Sequence, residues 1–178
     1  MEKEIFYIDK INFLERKNFR EKLIDISNKL NIDPNWLMVV MNSESGLNPQ
    51  AVNKLGGATG LIQFMPDTAR NLGTTTEALK NMTATQQLNY VYRYFLPYKD
   101  KIKSAFDLYL VTFFPLGVGK PDTWIFESSK LRPDIIAKYN PSMDLNKDNK
   151  ITMLEFKKWF LNRIEKKYRD YILKKKLD

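Results

Sequence analysis

Apolar residues recur at helical spacing along most of the chain, and no segment shows the apolar and polar alternation of a strand. A first amphipathic helix is predicted from residue 18 by four apolar side chains: Phe19, Leu23, Ile26 and Leu30. Asp33 and Pro34 begin a second helix, because Asp caps an N-terminus and Pro suits the first helical position. Gly46 and Pro49 end it. This second helix is apolar on nearly every side, which is typical of a buried helix.

Further helices are predicted to begin near Pro66 and to cover residues 83–99 and 105–114. A polar run follows Pro141, which leaves little room for a helix before that run. One outgoing helix then carries a long apolar face: Phe156, Trp159, Phe160, Ile164, Tyr168 and Ile172. We therefore expect an all-α fold in three parts. These parts are an N-terminal arm of residues 1–17, a main domain of residues 18–130 and a C-terminal extension of residues 131–178.

The amino-acid composition excludes several catalytic mechanisms and says less about the fold. The 29 basic and 21 acidic residues give a net charge of +8, which suits an anionic cell wall or membrane surface. A solvated, lysine-rich surface explains that charge equally well, and no nucleic-acid motif is visible. The chain has no cysteine and no histidine, which excludes Cys/His peptidases, Ser-His-Asp hydrolases and His-ligated zinc amidases. Cleavage of glycans needs only carboxyl groups, which the chain has.

Glu44 is the candidate catalytic acid. It falls in the last turn of the buried helix, where the residues three and four positions back are Met41 and Val40. Apolar neighbours and the negative end of the helix dipole disfavour a carboxylate, so the pKa of Glu44 should be raised, as a general acid requires near neutral pH. From position alone, an exposed glutamate at a helix end is the commoner alternative.

Two motifs carry a resemblance to a known family. Residues 44–49 (ESGLNP) resemble the Glu-Ser-Gly-x-x-Pro signature of the soluble lytic transglycosylase and goose-type lysozyme superfamily. Residues 60–66 (GLIQFMP) resemble its Gly-Leu-x-Gln-x-Met-Pro motif, in the same order and spacing. A third family element is altered at residues 112–119, where Phe114 and Pro115 stand in place of Tyr and Asn. The resemblance covers about residues 20–125 and implies a lysozyme-like domain.

The resemblance implies a peptidoglycan lytic transglycosylase that cleaves between N-acetylmuramic acid and N-acetylglucosamine and leaves an anhydromuramyl end. Glu44 would act first as acid and then as base, with no metal or other cofactor in catalysis. The same resemblance assigns substrate contacts to Ser45, Gln63, Phe64, Met65, Tyr94 and Phe114. Phe114 lacks the family hydroxyl, so either Tyr109 or Tyr94 takes over that role or the site does without it.

Two other functions stay open. A hydrolytic goose-type lysozyme would use water, helped by Asp67, Asp107 or Asp122. A calcium-binding virion or structural module on a catalytically inactive lysozyme scaffold is the second alternative. The first residues contain no apolar run long enough for a signal peptide. We therefore expect a protein made in a host cytoplasm, as a phage endolysin released by a holin or as a virion lysin, and monomeric unless it is part of a virion.

Residues 144–155 (DLNKDNKITMLE) match an EF-hand loop. Oxygen side chains stand at positions one, three, five, nine and twelve: Asp144, Asn146, Asp148, Thr152 and Glu155. Lys150, at position seven, would offer its carbonyl. Position six has Asn149 instead of Gly, and Asn is the best substitute in a left-handed conformation. We expect one structural Ca²⁺, with a polar surface turn as the alternative, and the lysines at 174–176 suit an anionic surface.

Overall fold

The structure is a computed structural model that describes residues 4–174. Within this range the chain folds into α-helices, three short 3-10 turns and isolated β-bridges, so the all-α prediction is confirmed for the part described. The helices are α1 (Arg16–Leu30), α2 (Pro34–Ser45), α3 (Pro66–Asn71), α4 (Thr76–Lys80), α5 (Ala84–Phe95), α6 (Ala105–Phe113), α7 (Pro133–Tyr139), α8 (Met153–Asn162) and α9 (Lys166–Lys174). The 3-10 turns are Ile8–Lys10, Leu96–Lys101 and Pro115–Gly117.

Helix α2 is the centre of the core, as its apolar sequence predicts. Trp36, Leu37 and Val40 are fully buried, and the helix packs against α1 and α6. The Asp33 carboxylate caps its start by accepting a 2.9 Å hydrogen bond from the Asn35 amide. Gly46 ends it with φ of 64°, a conformation that glycine adopts without strain. Both predicted ends of the helix are therefore confirmed.

The N-terminal arm and the C-terminal extension both contribute to the hydrophobic core. Phe6 is buried and stacks on Tyr168 of α9, with ring centroids 3.8 Å apart. The Tyr7 hydroxyl accepts a 3.0 Å hydrogen bond from the Glu165 amide. Asn35 at the start of α2 fixes the arm, because its side-chain oxygen accepts from the Phe6 amide at 2.9 Å. The two ends of the described chain are therefore packed together beside α2.

The predicted single outgoing helix is wrong, because the chain forms two helices with a turn at residues 163–165. Arg163 in that turn bonds Ser43 in α2, and the Glu165 amide bonds Tyr7. At the break, the Tyr7 hydroxyl takes the place of a helical partner for the Glu165 amide. Helices α4 and α7, of five and seven residues, are too short for the apolar period to indicate. Helix α7 also places a helix before Pro141, where little was expected.

No helix among residues 4–174 combines the length and apolar character needed to cross a membrane. Of the three terminal lysines considered as an anionic-surface contact, Lys174 ends α9. Lys175 and Lys176 lie outside the described residues.

Candidate active site

Glu44 lies half-buried in the last turn of α2, where groups from three other elements act on its carboxyl. These groups are Tyr94 of α5, Tyr109 of α6 and Arg163 from the turn after α8. Burial is the largest effect and raises the pKa of Glu44. The hydrogen bond from Tyr109 and the positive charge of Arg163 act in the opposite direction. A carboxyl with a raised pKa keeps its proton closer to neutral pH, as a general acid must.

Tyr109 supplies a phenol beside the acid. Its side chain is buried, and its hydroxyl is within hydrogen-bonding reach of the Glu44 carboxyl and the Ser43 side chain. Burial, and then the charge of Glu44, raise the pKa of Tyr109, so the phenol stays protonated and can donate. Phe114 packs instead with Phe113, Trp124 and Phe126. Tyr109, five residues before Phe114 in the chain, therefore places a phenol beside Glu44, and its role as the replacement for the family hydroxyl stays a prediction.

Tyr94, the other hydroxyl considered, is partly buried and joins α5 to α6. Its hydroxyl donates a 3.0 Å hydrogen bond to the Val111 carbonyl. Burial, followed by Tyr98 and Glu44, raises the pKa of Tyr94 to about 12. Tyr94 therefore lies close enough to Glu44 for the charge of the carboxylate to affect its pKa, while its hydroxyl donates to the Val111 carbonyl of α6.

The residues of the two motifs are brought together at the end of α2. The Ser45 hydroxyl bonds the Leu61 carbonyl at 2.9 Å and the Met41 carbonyl at 3.1 Å, which ties the acid's helix to the second motif. Gln63 has φ of 54° and donates from its amide nitrogen to the Gly60 carbonyl at 3.1 Å. In these contacts the Gln63 amide oxygen is the atom that is left to accept from a sugar hydroxyl.

The two remaining predicted residues of the second motif differ in exposure. Phe64 is 2% exposed, and its ring meets Tyr94 edge to face at 6.3 Å, so it supports Tyr94 from within the core. Met65 is 49% exposed and precedes α3. Of the two, Met65 therefore offers the larger surface to a ligand.

Gln87 is a site-supporting residue that sequence reasoning missed. It is fully buried in α5, and its amide oxygen accepts a 2.9 Å hydrogen bond from the Leu61 amide. Its amide nitrogen donates to the Pro49 carbonyl at 2.6 Å and to the Leu79 carbonyl at 2.8 Å. The Gln87 side chain thus bonds the backbone of both loops, the one after Gly46 and the one after Gly60. The available signal was a glutamine one residue before Leu88 in an otherwise apolar stripe.

Three further carboxylates were considered as partners for Glu44, and each has a local structural role. Asp67 is 83% exposed and pairs with Arg70 one turn along α3. Asp107 accepts from the Ser104 hydroxyl at 2.9 Å, at the start of α6. Asp122 pairs with Lys157 at 2.6 Å. Each of these three carboxylates is therefore bonded to a side chain other than that of Glu44.

The predicted calcium loop is ordered by its own oxygen side chains. The Asp144 carboxylate accepts from the amides of Asp148 at 3.2 Å and Asn149 at 3.0 Å. The Asn146 side chain accepts from the Asp148 amide at 3.0 Å, and Asp148 accepts from the Lys150 amide at 3.0 Å. Asn149 has φ of 64°, the left-handed conformation expected at position six.

Glu155, the last residue of this loop, folds back over it. One carboxylate oxygen accepts from the Leu145 and Asn146 amides at 3.2 and 3.3 Å. The other accepts from the Thr152 amide at 2.9 Å and forms a capping box for α8. Within residues 4–174, no three acidic, cysteine or histidine side chains are grouped closely enough to hold a metal ion. In this arrangement Glu155 caps the helix with the oxygen that a bidentate calcium ligand would need.

The all-α structure, with Glu44 in the last turn of its central helix beside a glycine-containing loop, is consistent with a lysozyme-like domain. Residues 22–95 match the family model of the Transglycosylase SLT domain. Members of that family are lytic transglycosylases, so the match supports the lysozyme-like superfamily and a glycan-cleaving function in general, with peptidoglycan as the substrate class. A search of curated proteins gave no match. The matched region contains both motifs and ends before Tyr109 and Arg163.

Proposed function

We propose that the protein is a peptidoglycan lytic transglycosylase in which Glu44 is the only acid and base. The observation that carries this proposal is the environment of Glu44. Its carboxyl is half-buried with a raised pKa and within reach of the Tyr109 hydroxyl, whereas Asp67, Asp107 and Asp122 are engaged elsewhere. In their usual forms, retaining and inverting hydrolysis both use a second carboxylate at the scissile bond. A site with one acid instead takes its nucleophile from the substrate.

In the proposed reaction, Glu44 first donates its proton to the glycosidic oxygen between N-acetylmuramic acid and N-acetylglucosamine. The bond from that oxygen to the anomeric carbon breaks, and the leaving sugar carries the proton away. The primary hydroxyl of the muramyl residue then attacks the anomeric carbon and gives its proton to Glu44, which closes the anhydro ring and restores the acid. Tyr109 donates to the carboxylate that exists between the two transfers. Gln63 and Met65 are proposed as substrate contacts.

The product distinguishes this reaction from hydrolysis. Digestion of purified peptidoglycan should release muropeptides lighter by one water than those of a lysozyme digest of the same material, because the ring closes without water. Mass spectrometry of the two digests measures the difference directly. Reducing muramic acid ends in place of anhydro ends would overturn the transglycosylase assignment, favour a goose-type hydrolase and redirect attention to Asp67, Asp107 and Asp122.

We also propose that residues 144–155 bind one structural Ca²⁺, which takes no part in catalysis. Oxygen ligands at alternate positions are the chemistry that calcium prefers, and the loop offers Asp144, Asn146 and Asp148 in this pattern. The Lys150 carbonyl and the side chains of Thr152 and Glu155 complete the proposed set. The left-handed Asn149 supports the proposal. The Thr152 to Glu155 capping box competes with it, because Glu155 must turn from that cap to bind bidentately.

Calcium should raise the melting temperature of the wild-type protein. A ligand that binds only the folded state at about 100 times its Kd stabilises by about 2.7 kcal/mol, which is several degrees for a chain of this size. Thermal unfolding with calcium, with magnesium and with chelator measures this. Asp144→Ala combined with Glu155→Ala should lose the calcium response, whereas Asp134→Asn, a carboxylate paired with Arg132 outside the loop, should keep it. No shift for the wild type at millimolar calcium would rule out the proposed site.

The place of action that we propose is the bacterial cell wall, where the protein would serve as a phage endolysin or virion lysin. Its net charge of +8 favours association with an anionic wall polymer. This association would be weakened by salt, because charges at the surface are screened over about 8 Å at physiological ionic strength.

A further inference from the structure

The C-terminal extension contributes a charged side chain to the end of the acid's helix. Arg163 lies in the turn between α8 and α9, 120 residues from Ser43 in the chain. Its Nε atom donates to the Ser43 hydroxyl at 2.7 Å, and its Nη2 atom donates to the Ser43 carbonyl at 2.7 Å. Carbonyls in the last turn of a helix lack helical partners, so this guanidinium caps the turn that contains Glu44.

The same guanidinium begins a chain of polar groups that ends at Glu44. Arg163 has donors and no acceptor, so the Ser43 oxygen must accept from it. The Ser43 proton can then point to the Tyr109 oxygen, which is within hydrogen-bonding reach. With its oxygen occupied in this way, Tyr109 directs its own proton to the Glu44 carboxyl. The donor-only nature of Arg163 therefore sets one direction for the whole chain.

Trp159 of α8 contacts both Arg163 and Tyr109. The Arg163 guanidinium lies 4.8 Å from the centre of the Trp159 ring, and that ring stacks on Tyr109 at 5.7 Å with an interplanar angle of 20°. The Trp159 indole nitrogen donates to the Ser142 hydroxyl at 3.1 Å, which fixes the ring in turn. Stacking of this kind limits the rotation of Tyr109 and Arg163, so both polar groups stay in place.

We propose that Arg163 is a positioning residue for Glu44, and that it orders a hydrogen-bond relay from Arg163 through Ser43 and Tyr109 to the acid. The proposal rests on the proposed function of Glu44 as the catalytic acid. Arg163 lies beyond residues 22–95, the part that matches the transglycosylase family model. On this proposal the C-terminal extension contributes to the active site the residue that positions the catalytic acid.

Opposing effects act on the two protonation states of Glu44. Burial favours the protonated acid, and the Tyr109 hydrogen bond and the Arg163 charge favour the carboxylate that remains after proton transfer. The titratable and charged groups that face Glu44 are Tyr94 of α5, Tyr109 of α6 and Arg163. Since the two tyrosines stay neutral near pH 7, Arg163 is the charge that opposes burial.

Arg163→Met should move the pKa of Glu44 upward by about half a pH unit or more. The shift should fall short of the roughly 1–3 units of a direct ion pair, because Arg163 bonds Ser43 and not the carboxyl. Carboxyl ¹³C NMR titration reads this pKa without requiring activity. The alkaline limb of the activity profile should move up with it, because the acid must be protonated to act, and kcat should fall roughly tenfold. Arg163→Lys should restore part of both.

Ser43→Ala separates the relay from simple helix capping, because it removes the hydroxyl and keeps the Ser43 carbonyl that Arg163 also bonds. The relay predicts a pKa shift of Glu44 in the same direction as in Arg163→Met, and little further shift in the double variant. Arg132→Met is the matched control, because the exposed Arg132 pairs with Asp134 within its own segment at 3.0 Å. It should leave the pKa of Glu44 unchanged.

A Ser43→Ala protein with an unchanged Glu44 pKa and pH profile would overturn the relay and reduce Arg163 to a structural cap. An unchanged Glu44 pKa in Arg163→Met or Arg163→Lys would overturn it as well. Should Arg163→Met fail to fold, Ser43→Ala and Arg163→Lys carry the test. A wild-type protein that shows no glycan cleavage, but whose Glu44 titration still shifts in these variants, would refute the proposed function and leave the relay standing.

Discussion

Glu44→Gln should abolish cleavage of peptidoglycan and leave the fold intact. The amide has the shape of the carboxyl and cannot donate the proton that the leaving oxygen requires. General acid and base catalysis contributes about 10²–10⁴ in rate, so activity should fall by at least 100-fold. Loss of turbidity of a purified peptidoglycan suspension measures it. Glu77→Gln, which makes the same change at an exposed glutamate in the first turn of α4, is the matched control.

A Glu44→Gln variant that kept a tenth of the activity would show that another group is the acid. Gln63→Ala and Tyr94→Phe should each lose less than Glu44→Gln, because several contacts share the positioning of a substrate. Tyr94→Phe removes a hydroxyl that bonds the Val111 carbonyl, so part of its effect should appear as lost stability.

The stability of Glu44→Gln should also depend on pH in a particular direction. The folded protein raises the pKa of Glu44, so it binds this proton more tightly than the unfolded chain does. As pH rises through the folded pKa, the wild-type protein must bury a charge, and its stability falls relative to the glutamine variant. Well below the unfolded pKa both states are protonated and this difference disappears. The variant should therefore melt at the same temperature as the wild type or higher at neutral pH.

The fold was largely predictable because its central helix is specified locally. Asp33 and Pro34 start α2, Gly46 ends it, and residues 34–41 of the helix are all buried. The position of Glu44 in the last turn follows from those limits alone. The resemblance of residues 60–66 to the second family motif then implied that the loop after Gly60 belongs beside it.

The surroundings of the acid depend on tertiary contacts that no local pattern reveals. Tyr109 was one of two hydroxyls considered, and only the packing of α6 on α2 places it at Glu44. Arg163 was missed because its function depends on a helix break that apolar periodicity does not show. Ile164 and Tyr168 keep the helical spacing across that break and are both buried, so the period continues where the helix does not. The proposed calcium loop is the opposite case, because the spacing of its oxygen side chains is a strong local pattern.

Gln87→Leu should destabilise the fold by at least about 2 kcal/mol, because two backbone groups lose their hydrogen-bond partner. Leucine has a similar volume and removes both halves of the amide, which leaves the Leu61 amide and the Pro49 carbonyl without a partner, whereas the Leu79 carbonyl still accepts from the Met82 amide at 3.0 Å. Each unsatisfied buried group costs about 1–3 kcal/mol. Set against a total stability of about 5–15 kcal/mol, this is a large fraction. Urea unfolding measures the change.

Asn89→Leu is the control for Gln87→Leu, because Asn89 is an exposed amide on the same helix, and its replacement should change stability by less than about 0.5 kcal/mol. A Gln87→Leu variant within 1 kcal/mol of the wild type would show that the Leu61 amide and the Pro49 carbonyl find other partners. The fit around Gln87 makes such a rearrangement difficult. A Cβ atom on Gly60 would lie 2.4 Å from the Gln87 amide oxygen, so the second motif needs its glycine to let this side chain reach Leu61. Since Gln87 also bonds Pro49, its loss loosens both motifs at once, and glycan cleavage should fall in the folded fraction as well.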